Sequence, residues 1–207
     1  VITASRMFEG CKGFVNITNL YLPNATNVGG IFSMCSNLES ASNLYFPNVT
    51  SSSVPFQHAK KLLSVTNLNL CNILVGNNIF YGCENLKYIT DINISSATSL
   101  INFHGTVHLN VNTSEEYFEP FQTLEIINNV DMSSVVEPVV YNGNGVPMKY
   151  WTNVTTITDW NLHSLPSAAL ILKGCMNLTT VDGLDIGSAN TAGGMFVNCK
   201  LDGMALR

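Results

Sequence analysis

Apolar residues recur along this chain in a pattern that repeats every 24 positions. Phe8, Cys11, Phe14, Ile17, Leu20 and Leu22 are followed one step on by Phe32, Cys35, Leu38, Ala41, Leu44 and Phe46. The next steps give Phe56, Ala59, Leu62, Val65, Leu68 and Leu70, then Phe80, Cys83, Leu86, Ile89, Ile92 and Ile94. A unit this small cannot bury its own apolar stripe. Successive units must therefore stack and share one core, which is the physics of a solenoid.

Two elements are expected in each unit. The stretch Leu20-Tyr21-Leu22 and its counterparts alternate with period two, so each reads as a short strand that pairs in parallel with the next. Pro23 and Pro47 follow the strand and end it, because proline lacks the N–H that pairing needs. The Phe-x-x-Cys-x-x-Leu stretch has apolar residues three apart, which predicts one or two turns of α- or 3₁₀-helix on the opposite side. The expected fold class is an α/β repeat solenoid with one parallel β-sheet and short helices across from it.

Residues 1–102 hold four regular units. Residues 103–146 form an irregular, acidic part of the same solenoid, and 147–207 return to regular units within one continuous domain. Phe103 to Glu116 reads as a shortened unit in which Leu109 and Val111 take the strand positions. A longer unit follows, with Phe118, Phe121, Leu124, Ile127, Val130 and Met132 as its core. Val1 to Arg6 show neither an initiator Met nor the zones of a signal peptide, and the chain opens and stops partway through a unit. It is expected to belong to a longer polypeptide with further domains. No apolar run approaches the roughly 20 residues that cross a bilayer, so no direct membrane insertion is expected.

The units resemble bacterial leucine-rich repeats of the Treponema-type, BspA-like class. The matching residues run from Phe8 to Thr26 as Phe-x-x-Cys-x-x-Phe-x-x-Ile, then Leu-x-Leu-Pro and Asn-x-Thr, and Asn27 to Phe32 leads into the next unit. The likeness covers nearly the whole chain except Phe103 to Glu116 and Val135 to Pro147. It departs from the simplest form of the class by three extra residues before the strand and by the loss of Pro after Leu70. The resemblance implies a leucine-rich-repeat solenoid and a surface protein that adheres to host proteins or to other cells.

Composition narrows the partners. Only 11% of the 207 residues are charged and the net charge is −5, far from the usual quarter of charged residues. Without a basic stripe, nucleic acid and acidic membranes are not expected partners. A polar, weakly ionic surface suits an extracellular or cell-surface setting, or a virion.

Candidate chemistry is sparse. Cys11, Cys35, Cys83, Cys175 and Cys199 share one repeat position with Ala59, so a small apolar group suffices there and buried free thiols are expected over disulfides. Cys71 replaces the strand-ending Pro. No Cys-x-x-Cys or Cys-His pair has metal-ligand spacing, and His104 and His108 lack a third ligand. His58 and His163 stand far from any nucleophile. No metal, cofactor or catalytic residue is therefore assigned. Between Asp91 and Lys149 there are seven carboxylates and no other Lys or Arg, with Glu115, Glu116 and Glu119 closest together. This acidic bulge could meet a basic partner or a cation, or stand as a solvated loop. Seven Asn-x-Ser/Thr triplets occur, as an Asn- and Thr-rich repeat generates them without selection.

The outward strand positions are the candidate binding residues. Asn19, Asn43, Asn67 and Asp91 form one ladder, Tyr21, Tyr45, Asn69 and Asn93 the next, and Asn129, Asp131, Asp159, Asn161 and Asp185 extend them. Amides donate and accept hydrogen bonds and tyrosine adds flat apolar area, a mixture suited to a protein or glycan partner. The expected function is non-enzymatic extracellular recognition or adhesion through this strand face. The alternative is a structural or receptor-binding part of a bacteriophage tail or fibre. A polysaccharide-degrading β-helix would need three strands per coil and converging carboxylates, neither of which the sequence displays.

Overall fold

The structure is a computed structural model, and it describes residues 2–50, 55–76, 78–98, 105–109, 116–120, 123–134, 152–169 and 171–206. The strands are β1 (Asn16–Tyr21), β2 (Ser40–Tyr45), β3 (Ser64–Asn69), β4 (Tyr88–Asn93), β5 (Gly105–Leu109), β6 (Glu116–Pro120), β7 (Ile126–Asp131), β8 (Thr156–Asn161), β9 (Thr180–Leu184) and β10 (Gly203–Leu206). Eight of them form one parallel sheet in the order β1-β2-β3-β4-β7-β8-β9-β10, a solenoid-like arrangement.

The register follows the apolar pattern. Ile17 pairs with Ala41, Ala41 with Val65 and Val65 with Ile89, while Leu20, Leu44, Leu68 and Ile92 form the second inward row. Inside the coil, rings stack in column: Phe8 on Phe32 at 5.8 Å, Phe32 on Phe56 at 5.4 Å and Phe56 on Phe80 at 5.7 Å. Each ring thus covers its neighbour's apolar face.

In β1 to β4, β7 and β8, each strand is longer than the alternating triplet and is kinked once. The residue at its fourth position, as in Asn19, Asn43, Asn67, Asp91, Asn129 and Asp159, has positive φ between 47° and 58°. This left-handed step is one that Asn, Asp and Gly adopt most readily. It inserts an extra outward residue, so Ile17 and Leu20 both face inward although three positions separate them, with Thr18 and Asn19 outward between them.

The expected helices are not there: among the described residues, the Phe-x-x-Cys stretches are chains of turns. Every second N–H bonds back three residues, as Ile31 to Val28, Ser33 to Gly30 and Cys35 to Phe32. The N–H groups between them donate to the next coil, Phe32 to the Pro55 carbonyl at 2.9 Å and Met34 to the Gln57 carbonyl at 2.7 Å. Positive φ at Gly30 and Met34 turns these donors outward along the stack. A helix would have kept all of them within its own coil. Each coil is consequently bonded to its neighbour on both sides.

The cysteine position follows from the same geometry. Cys35, Cys83 and Cys199 donate their thiols to the carbonyls of Phe8, Phe56 and Leu172, 3.0 to 3.1 Å away in the preceding coil. All six cysteines are free thiols.

The irregular region departs from the expected shortened unit. β4 pairs directly with β7, Ile89 with Ile127 and Ile92 with Val130, so the two strands between them in sequence, β5 and β6, lie outside the main sheet. There β5 and β6 pair antiparallel as a separate hairpin, Leu109 opposite Glu116, and Leu109 contributes nothing to the main sheet. Two strands joined antiparallel cannot continue a stack whose every pairing is parallel. Val111, Glu115 and Glu137 lie outside the described residues, as do His104, Phe121 and the stretch from Val135 to Pro147. Leu124, Ile127, Val130 and Met132 are buried in the core as expected.

Candidate functional site

The candidate residues all stand on the outward face of the main sheet in two rows with different local roles, and a third row lies beside them. The first row holds the left-handed residues. Asn43 donates to Asn19 Oδ1 and Asn67 to Asn43 Oδ1, each at 2.9 Å, and Asn129 donates to Asp91 Oδ1 at 2.7 Å. An amide both donates and accepts, so a column of them satisfies itself from coil to coil. These residues build the face before they could bind anything on it.

The second row is set by turn chemistry. Asn69, Asn93, Asp131, Asn161 and Asp185 each accept, through Oδ1, the backbone N–H two residues on, at 2.8 to 3.2 Å. This side-chain turn carries the chain off the strand. Where the second residue on is Pro23 or Pro47 there is no N–H to accept, and the row position is Tyr21 or Tyr45 instead. Those two rings stack on each other at 5.0 Å and stay 63% and 38% exposed. They are the candidates with no backbone task.

The third row, between the inward positions, carries hydroxyls. Thr66 and Thr90 meet at 3.1 Å, and Thr158 donates to Asn128 Oδ1 at 2.6 Å. Sequence reading overlooked this row because it took each strand as a plain alternation.

The face changes character along the stack. β1, β2 and β3 carry no charged residue, whereas β4, β7, β8 and β9 carry Asp91, Asp131, Asp159 and Asp182, with Asp185 just after. Over β7 to β9 the surface opens into a hollow of about 270 Å³ lined by Asn129, Val130, Asp131, Asp159, Asn161, Gly183 and Asp185. Gly183 occupies the ladder position with φ 66°. The Asp159 carboxylate lies where a Cβ on Gly183 would be. Sequence reading missed Gly183, although its place 24 positions beyond Asp159 marks it as the ladder residue without a side chain.

His163 borders the hollow, with Nδ1 3.2 Å from Asp185 Oδ2. Among the described residues no three His, Cys, Asp or Glu side chains are grouped so as to hold a metal. No helix among them is long and apolar enough to cross a membrane. The buried thiols are poor nucleophiles: burial pushes Cys35 up to about 11 and drives Cys83 higher still, with Cys199 raised by the same cause.

The site is thus a polar surface with a concavity over β7 to β9, and turn and ladder bonds hold its side chains. Comparison of the chain with protein-family models, curated proteins and solved structures finds no match.

Proposed function

We propose that this protein is a non-enzymatic recognition module that acts outside the cell, holding a protein or glycan partner against the strand face of a leucine-rich-repeat-like solenoid. The leucine rows at Leu20, Leu44 and Leu68 and the parallel register support the repeat class, with turns in place of its helices. The observation that carries the recognition reading is the hollow over β7 to β9, where polar side chains from three successive coils converge on one opening. Those side chains are held by turn and ladder bonds, so little ordering cost falls on binding. The same features support assignment to a BspA-like surface protein.

A second reading, a structural or receptor-binding part of a phage tail, is favoured by one observation. Backbone bonds join adjacent coils on both sides of the stack, which suits a rod that must resist dissociation.

Adhesion of beads carrying the chain to surfaces coated with matrix proteins or glycans tests the first reading. Ser42→Arg with Thr158→Arg, on the strand face, should abolish adhesion. Lys61→Glu with Met176→Glu, on other surfaces, should leave it intact. Equal loss in both pairs would contradict it.

A further inference from the structure

We infer that the ligand seats over β7, β8 and β9, and that it is a neutral glycan chain lying along the stack axis. This rests on the recognition reading above and names its ligand class. The turn bonds of the second row use one polar atom of each side chain: Oδ1 of Asp131, of Asn161 and of Asp185. The other atoms are, in order along the stack, a carboxylate oxygen, an amide NH₂ and a carboxylate oxygen, the last of which also faces His163 Nδ1 at 3.2 Å and keeps a further lone pair. That row reads acceptor, donor, acceptor at one strand spacing, about 4.8 Å. Sugar hydroxyls donate and accept at intervals of about one pyranose ring, a length close to that spacing, and so match an alternating row.

Other ligands match less well. A metal ion needs grouped oxygens, which are not found among the described residues. An acidic glycan or nucleic acid would meet Asp131, Asp159 and Asp185 with like charge. A basic peptide would leave the Asn161 NH₂ facing a cation. The volume, about 270 Å³, lies at the low end for ligand sites, so a short stretch of a longer chain is seated. Gly183 makes the room, since a side chain there would displace Asp159.

The intact protein is titrated with neutral oligosaccharides built of glucose, mannose, xylose or N-acetylglucosamine, and backbone amide shifts are followed by NMR. At least one series should bind saturably, with the largest shifts at Asn129, Asp131, Asn161 and Gly183. Asp131→Asn keeps an Oδ1 for the turn bond to Ser133 but turns the first acceptor of the row into a donor, and it should weaken binding about tenfold to a hundredfold without moving the unfolding midpoint. Met176→Glu, at an exposed residue away from the strand face, should change affinity by less than about twofold, as expected for a distant, independent site. Absence of saturation by every series at millimolar sugar, or shifts centred on Tyr21 and Tyr45, would overturn the inference. A protein ligand mapped to the strand face without any sugar binding would overturn it while leaving the recognition reading in place. Loss of both ligand classes would remove that reading too.

Discussion

Lys87 Nζ lies 2.7 Å from Glu125 Oε1, although the two residues are 38 positions apart. They meet because β4 pairs with β7, which sets the residues just before the two strands side by side. Tyr88 adds a hydrogen bond to Glu125 Oε2 at 3.1 Å, and Thr123 donates to the Leu86 carbonyl at 2.8 Å. The hydrogen bond from Lys87 holds the Glu125 carboxyl below its ordinary value of 4.5, and the same bond holds the Lys87 ammonium above 10.5.

The sign of the resulting pH dependence is fixed for each partner. A carboxyl lowered on folding stabilises above its unfolded value and loses that contribution as pH falls through the folded one. An ammonium raised on folding stabilises below its unfolded value and loses it as pH rises through the folded one. The pair should therefore support the fold evenly between about pH 5 and pH 10 and weaken at both ends. Both groups are half-buried and still reached by solvent, so the effect is small and salt-sensitive. Urea midpoints of wild type and Glu125→Gln should converge as pH falls through the lowered Glu125 value, and a gap that stays constant throughout acid titration would contradict the pairing.

Phe56 is buried between Phe32 and Phe80. Phe56→Ala should cost about 3–5 kcal/mol in chemical denaturation. Phe8→Ala, at the half-buried first coil, should cost clearly less. Equal costs would mean that the column is not continuous.

The ladder residues are chosen for their backbone. Asn67→Val should destabilise by about 1–3 kcal/mol, because a β-branched residue resists positive φ and the bond to Asn43 is lost. Asn67→Gly should lose only the amide contact, by about 1 kcal/mol. Thermal or urea denaturation of the two variants separates the roles; a Val variant as stable as the Gly variant would refute the left-handed step.

Thiol reactivity should track burial. At pH 8 the half-buried Cys71 should react with an aromatic disulfide reagent in the native state, while Cys35 and Cys83 react only as the protein unfolds. Mass mapping of modified cysteines over time checks this order. Rapid native labelling of Cys83 would contradict its place in the core.

The core was legible because burial repeats: Leu20, Leu44, Leu68 and Ile92 could be aligned without coordinates. The strand-ending role of Pro23 and Pro47 was legible too, whereas the turn bonds of Asn69, Asn93, Asp131 and Asn161 were not, since an outward Asn or Asp also reads as a binding residue. What failed was the helix expectation, as spacing of three fits a helical turn and a series of three-residue back-bonds equally. Only the positive φ at Gly30 and Met34, with alternate donors sent to the next coil, separates them. The hairpin was hidden for a similar reason, since Leu109 and Val111 alternate as well in an antiparallel pair as in a coil. Which residues face outward was legible from period alone, but most of the Asn and Asp residues among them have structural tasks. The hollow depended on one missing side chain, at Gly183.

Methyl-to-methyl NOE measurement on the intact protein, with Ile, Leu and Val methyls labelled, tests the stack most directly. The account predicts contacts of Leu44 with Leu20 and Leu68, and of Ile92 with both Leu68 and Val130. A spectrum in which Ile92 lacks contact with Val130, or Leu44 touches only one of its two partners, would contradict it.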